Sequence, residues 1–164
     1  PWHNGTAASA SATAGEDRGT QPRIPRAGDV DAQAPRVMRA GRVVGYVEGH
    51  PQPIEVRMID GKAVEVHCAT AYERMRDAAV RAGVRLVVVS GFRTMEHQQI
   101  LYRAYRMGRG NLAAIPGHSN HQSGRAVDLN TSTPGVLRWL NAHARDHGFR
   151  RTVPTEPWHW EYLR

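Results

Sequence analysis

Apolar side chains show no periodic spacing through the first 35 residues, and they fall into short, regular patterns after that. Residues 1–35 are rich in Ala, Gly, Ser, Thr, Pro and Asp and carry few large apolar groups. Such a segment cannot offset its ordering entropy, so it reads as a flexible leader or linker ahead of a folded domain over 36–164. Residues 43–47, 54–59 and 63–67 then predict short strands, the last two joined by a turn at Asp60-Gly61. A helix is expected over 70–82, with Tyr72, Met75, Ala78, Ala79 and Ala82 on one face and Gly83 as its stop. The β-branched run 85–90 suits a central strand. Thr94 can cap a helix running to Met107, and Thr133-Pro134 opens another that Gly148 ends. Strands over 126–130 and 158–162 flank that last helix. Helices among short, hairpin-joined strands predict a single α+β domain whose mainly antiparallel sheet is flanked by helices.

Two of these strands have a polar face. Side chains alternate along a strand, so Val127 and Leu129 point one way while Asp128 and Asn130 point the other. In the same way Trp158, Trp160 and Tyr162 oppose His159 and Glu161. If both strands share a sheet, Asp128 and His159 share its polar floor. A carboxylate in so apolar a strand is costly to desolvate unless it is paired or bound to metal. His121 lies seven residues before Asp128, across a stretch that Gly124 can turn back. Two imidazoles and one carboxylate are a set that Zn²⁺ accepts, leaving a fourth position for water. Glu156, three residues before His159, is close enough to reach that water without being a ligand. Spacing alone leaves merely hydrogen-bonded histidines as the commoner outcome in a chain with nine of them.

Composition changes this picture little. The formal charge is +7, almost all of it from arginine, since Lys62 is the only lysine. The arginines are spread from Arg18 to Arg164 with no aromatic-interleaved signature, so a solvated basic surface is favoured over a nucleic-acid module. No apolar run is long enough to span a membrane. Cys68, the single cysteine, excludes an intrachain disulfide and a cysteine-based zinc site, and reads as a small buried hydrophobe. His143 and His147 share a helix face without an H-E-x-x-H pattern around them and read as end decoration. Trp158 and Trp160 read as core or rim packing, and His118 as a loop or supporting residue.

The motifs sharpen the metal reading. Residues Ser119 to Asp128, Ser-Asn-His-Gln-Ser-Gly-Arg-Ala-Val-Asp, match S-x-H-x-x-G-x-A-x-D at every fixed position. Glu156-Pro157-Trp158-His159 matches the accompanying E-x-x-H, and Ser90-Gly91-Phe92-Arg93-Thr94 with Gln98 matches S-G-[FY]-R-[ST]…Q. Together, in this order, they resemble the zinc D-alanyl-D-alanine carboxypeptidases, the VanY-like branch of the LAS metallopeptidases, from about Val43 to Tyr162. The resemblance implies a LAS/hedgehog-like peptidase fold, Zn²⁺ held by His121, Asp128 and His159, and Glu156 as general base and acid. It further implies that Arg93 binds the substrate carbonyl and stabilises the oxyanion, with Ser119 and Gln98 at substrate-binding positions. The expected activity is hydrolysis of peptidoglycan stem peptides that end in D-Ala-D-Ala. The protein is expected to act in the cell envelope or outside the cell, as a monomer, with no nucleic-acid partner and no transmembrane segment. An endopeptidase cutting the L-Ala-D-Glu bond is the alternative within the fold. A non-catalytic zinc module that binds wall or a protein partner is the alternative of another class, against which Glu156 and Arg93 speak.

Overall fold

The structure, a computed structural model, describes residues 39–163. The leader expected over 1–35 lies outside the described residues. Strands β1 (Gly41–Val47), β2 (His50–Ile59) and β3 (Lys62–Glu65) form an antiparallel meander. Both of its turns are two-residue connections, Val47 pairing with His50 and Ile59 with Lys62. Asp60 and Gly61 both adopt positive φ, 50° and 77°, the geometry that matches the twist of the flanking strands.

Helix α1 (Val66–Arg81) begins a turn earlier than expected, because Glu65 caps it. The Glu65 carboxylate accepts from the backbone N–H groups of His67 and Cys68, both at 3.0 Å, so the chain leaves β3 at once. Cys68, Tyr72, Met75 and Ala79, spaced four, three and four residues apart, form its buried face. Strand β4 (Val88–Ser90) is shorter than the 85–90 run predicted. Side chains take its first donors: Val87 N–H goes to Asn130 Oδ1 and Val88 N–H to Asp60 Oδ2, each at 2.8 Å. Helix α2 (Met95–Arg106) starts as predicted, with the Thr94 hydroxyl accepting from His97 N–H.

After β5 (Ala126–Leu129) comes α3 (Val136–His143), which starts two residues beyond the expected Pro134. Gly135, at φ 86°, breaks the helical path between Pro134 and Val136, and Asn130 and Thr133 close a turn there instead. A 3-10 turn (Ala144–His147) leads through left-handed Gly148 into β6 (Phe149–Arg150), and β7 (His159–Tyr162) completes the fold.

The strands form two antiparallel sheets rather than one, β1-β2-β3 and β4-β5-β7-β6. The α+β class predicted from the pattern is the one observed. Tyr72 and Met75 of α1, Leu140 of α3, Phe149, Val127, Leu129 and Trp160 belong to one buried cluster. Full burial of each large apolar side chain stabilises the fold by about 1.5–3 kcal/mol. Asp128 and His159, directly paired across β5 and β7, alternate with these residues and so present the other face.

Candidate metal centre

Three ligand atoms converge on that face. His121 Nε2 and His159 Nδ1 lie 3.2 Å apart, and Asp128 Oδ1 is 3.3 Å from the first and 3.2 Å from the second. What orients the rings settles what these atoms offer. His121 Nδ1 is 2.8 Å from the Gly91 carbonyl, which can only accept, so the N–H sits there and Nε2 keeps its lone pair. His159 Nε2 lies 3.0 Å from Glu161 Oε1. That carboxylate also accepts from the Thr152 hydroxyl at 2.6 Å, and its pKa is lowered by the His159 and Thr152 hydrogen bonds, which outweigh its burial. It too is an acceptor, which leaves the Nδ1 lone pair of His159 free.

Two imidazole lone pairs and a carboxylate oxygen therefore point at one another in a buried setting. This is unfavourable unless a cation or proton lies between them. Donors about 2.0–2.1 Å from a four-coordinate ion stand about 3.3–3.4 Å apart, close to the three separations seen, so the set fits zinc. Among the described residues, these three form the cluster of His, Cys, Asp and Glu able to hold a metal ion. The local electrostatics agree. Burial opposes charge on His159, but hydrogen bonds and charge from Asp128 and Glu161 outweigh it and raise the ring to about 9. The same two carboxylates favour a divalent cation for the same reason. Burial and the nearby Arg93 lower the His121 pKa against the pull of Asp128, and Asp128 is held well below the usual carboxylate range by both imidazoles against its own burial.

The His121 loop is fixed from behind. Tyr46 N–H of β1 donates to Gln122 O at 2.9 Å, Gly49 N–H to Gly117 O at 3.0 Å, and Arg93 N–H to His121 O at 3.0 Å. Glycines make these approaches possible. A Cβ on Gly45 would lie 2.9 Å from the Gln122 carbonyl, and one on Gly124, at φ 75°, would lie 2.7 Å from Glu65 Cβ. Gly91 has the Ala63 carbonyl directly behind it, where a Cβ would collide.

Residues 61–164, well over half of the chain, match the sequence model of the family described as D-alanyl-D-alanine carboxypeptidase, VanY. The chain belongs to the VanY family. It is 32% identical over 136 residues to a D-alanyl-D-alanine carboxypeptidase of Enterococcus faecalis, covering 65% of this chain and 51% of that protein. The chain thus spans about half the length of the curated relatives it matches. Among solved structures it resembles VanYB in complex with D-Ala-D-Ala, with a TM-score of 0.60 and 29% identity over 73% of this chain and 84% of that one. It also resembles a mutant of the vancomycin-resistance D,D-pentapeptidase VanY in complex with Zn(II), with a TM-score of 0.60, 27% identity, and coverage of 77% and 87%.

In this VanY-family chain the centre opens into a cavity of about 560 Å³. Arg93, Ser119, Glu156 and Trp158 line it together with His121, Asp128 and His159. The Arg93 guanidinium lies 3.9 Å from Asp128 Oδ2 and donates to Gln98 Oε1 at 3.1 Å. Burial raises the Glu156 pKa, and Asp128 adds to this against the pull of His159 and Arg93. Gln98 does not border the cavity. It is buried behind Arg93, with its amide donating to the Ala114 carbonyl at 2.8 Å, so its substrate-side position is not where the structure puts it. Both of its polar ends are engaged, and it supports Arg93 and the loop carrying Ala114.

Two contributors were not singled out in the sequence. Glu161 was placed on the right strand face by alternation, and that was a usable signal. The Gly91 carbonyl left none, because a backbone acceptor has no residue type. Elsewhere, Cys68 is buried and its thiol is pushed up by desolvation, as befits an inert core residue. Trp160 packs in the core and Trp158 stands at the cavity rim. His143 and His147 lie against Trp139, with ring centroids 4.9 and 6.4 Å from it, and outside the cavity wall.

Proposed function

We propose that this chain is a zinc peptidase that removes the terminal D-Ala from peptidoglycan stem peptides ending in D-Ala-D-Ala. The observation that carries the reading is the convergence of the His121, His159 and Asp128 lone pairs at the floor of a cavity that Glu156 and Arg93 also line. Membership of the VanY family supports the activity, and the solved relatives bound to D-Ala-D-Ala and to Zn(II) support the substrate and the metal.

His121, Asp128 and His159 would hold the ion. Zinc bound there supplies a Lewis acid and lowers the pKa of a water to about 7. Glu156 takes the proton that the attacking water loses and passes it to the nitrogen of the departing D-Ala as the peptide C–N bond breaks. Its burial makes it a stronger base than a solvated glutamate. Arg93, always cationic, meets the negative charge that grows on the scissile carbonyl oxygen, and Gln98 holds the guanidinium in place. Ser119 stands in the cavity wall, where its hydroxyl would be offered to the peptide.

The folded unit proposed to carry this chemistry lies within 36–164 and acts as a monomer. Its place is the cell envelope or outside the cell, where the substrate is found. Among the described residues no helix is long and apolar enough to cross a membrane.

The test is a digest of pentapeptide-bearing muropeptides with and without chelator, followed by mass measurement of the products. Loss of one alanine, abolished by chelation, is expected. Release of the whole stem after L-Ala would replace the carboxypeptidase by the endopeptidase. In the same assay Glu156→Gln should lower turnover by about 10²–10⁴-fold while zinc content is unchanged. Unaltered turnover in that variant would refute the mechanism.

A further inference from the structure

Between Glu96 and Asp128 the chain has no acidic residue, yet it carries Arg103, Arg106, Arg109 and Arg125. The first three are exposed on the last turns of α2 and the loop that follows. Large apolar side chains stand among them, with Met107 64% exposed, Leu112 60%, Ile115 59% and Tyr105 38%. The loop is structured. Arg109 N–H donates to the Ala104 carbonyl at 2.9 Å, and Gly110 lies so close to α2 that a Cβ there would be 3.0 Å from Ala104 Cβ. At the far end Gln98 holds the Ala114 carbonyl, and His118 N–H reaches Ile115 O at 2.9 Å. Tied at both ends, the backbone holds Met107, Leu112 and Ile115 out in water. Arg109 and Leu112 also line the cavity, so this stretch is part of its rim.

An ordinary solvated face mixes both charge signs and exposes few large apolar groups together. A dissolved polyanion would account for the arginines and leave the apolar side chains without a role. Cationic and apolar side chains exposed along one short stretch suit a surface with anionic headgroups over a hydrocarbon layer. We propose that the end of α2 and the 107–115 loop dock on an anionic lipid bilayer. The arginines meet the headgroup phosphates, Met107, Leu112 and Ile115 enter the boundary layer, and the cavity mouth turns toward the membrane. Docking requires neither metal nor turnover, so it stands or falls separately from the peptidase reading.

The test is sedimentation of the full chain with vesicles of phosphatidylcholine alone or with added phosphatidylglycerol. The wild type should bind the anionic vesicles and leave the neutral ones. Neither substituted pair below borders the cavity, and unchanged thermal melting establishes that the variants are folded. Replacing Arg103 and Arg106 by Gln should weaken binding about fivefold for each arginine, and replacing Met107 and Ile115 by Ser should weaken it by about tenfold or more. The proposal is overturned if anionic vesicles fail to retain the wild type, or if both variants bind as well as it does. It is equally overturned if only the arginine pair matters, or if a soluble wall polyanion is bound more tightly than vesicles and without regard to the apolar pair.

Discussion

His159 uses both ring nitrogens, one directed at the cluster and the other held by Glu161. That second contact fixes the ring and adds negative charge to a ligand. Glu161→Gln should therefore lower zinc affinity about 10–100-fold in competition with a chelator, while turnover at saturating zinc stays near that of the wild type. Glu156 makes a different prediction. Burial lifts its pKa above the ordinary 4.5, Asp128 adds to the rise, and His159 and Arg93 oppose it. A base must be ionised to act, so activity is lost as pH falls through the raised value, and the acid limb of kcat/KM should lie above that of a solvated glutamate. Arg93→Ala removes one lowering influence and should move that limb to higher pH while slowing kcat. An unmoved limb would mean that another group sets it. At this scale the sequence was most legible where residue type and spacing carry the chemistry, as at His121, Asp128 and His159, which the structure brings together. It was least legible at Gln98, because residue type does not reveal which way a side-chain amide points.

Elements were legible wherever a pattern was local. The Asp60-Gly61 turn and the Thr94 cap can each be read from a few neighbouring residues, and both occur. The start of α1 is not legible locally, because glutamate is an uncommon cap and its role depends on a carboxylate folding back onto two N–H groups. The start of α3 is harder to read, because Pro134 suits a first helical position while Gly135 imposes a left-handed step after it. The division into two sheets depends on pairings between distant strands, which local alternation does not encode. Gly124 joins the element scale to the site. It combines positive φ with a position where a Cβ would press on Glu65, and its carbonyl receives Glu65 N–H at 3.4 Å. Gly124→Ala should destabilise the protein by about 1–3 kcal/mol in urea denaturation. A change within a few tenths would show that the loop relaxes around it.

At the scale of the whole molecule, metal binding and folding should be linked, since no unfolded chain holds His121, Asp128 and His159 together. Chelation should lower the thermal midpoint by several degrees, and zinc should restore it. An unchanged midpoint would mean that the folded chain binds the ion no more tightly than the unfolded one. That frame extends beyond the part shared by sequence. The family match begins at residue 61, whereas β1 and β2 precede it and grip the His121 loop through Tyr46, Gly45 and Gly49. The hairpin is in effect a splint on a loop it does not itself belong to. A fragment cut back to residue 61 would keep every proposed ligand and the base, yet lose the brace that sets the spacing of the first ligand from the other two.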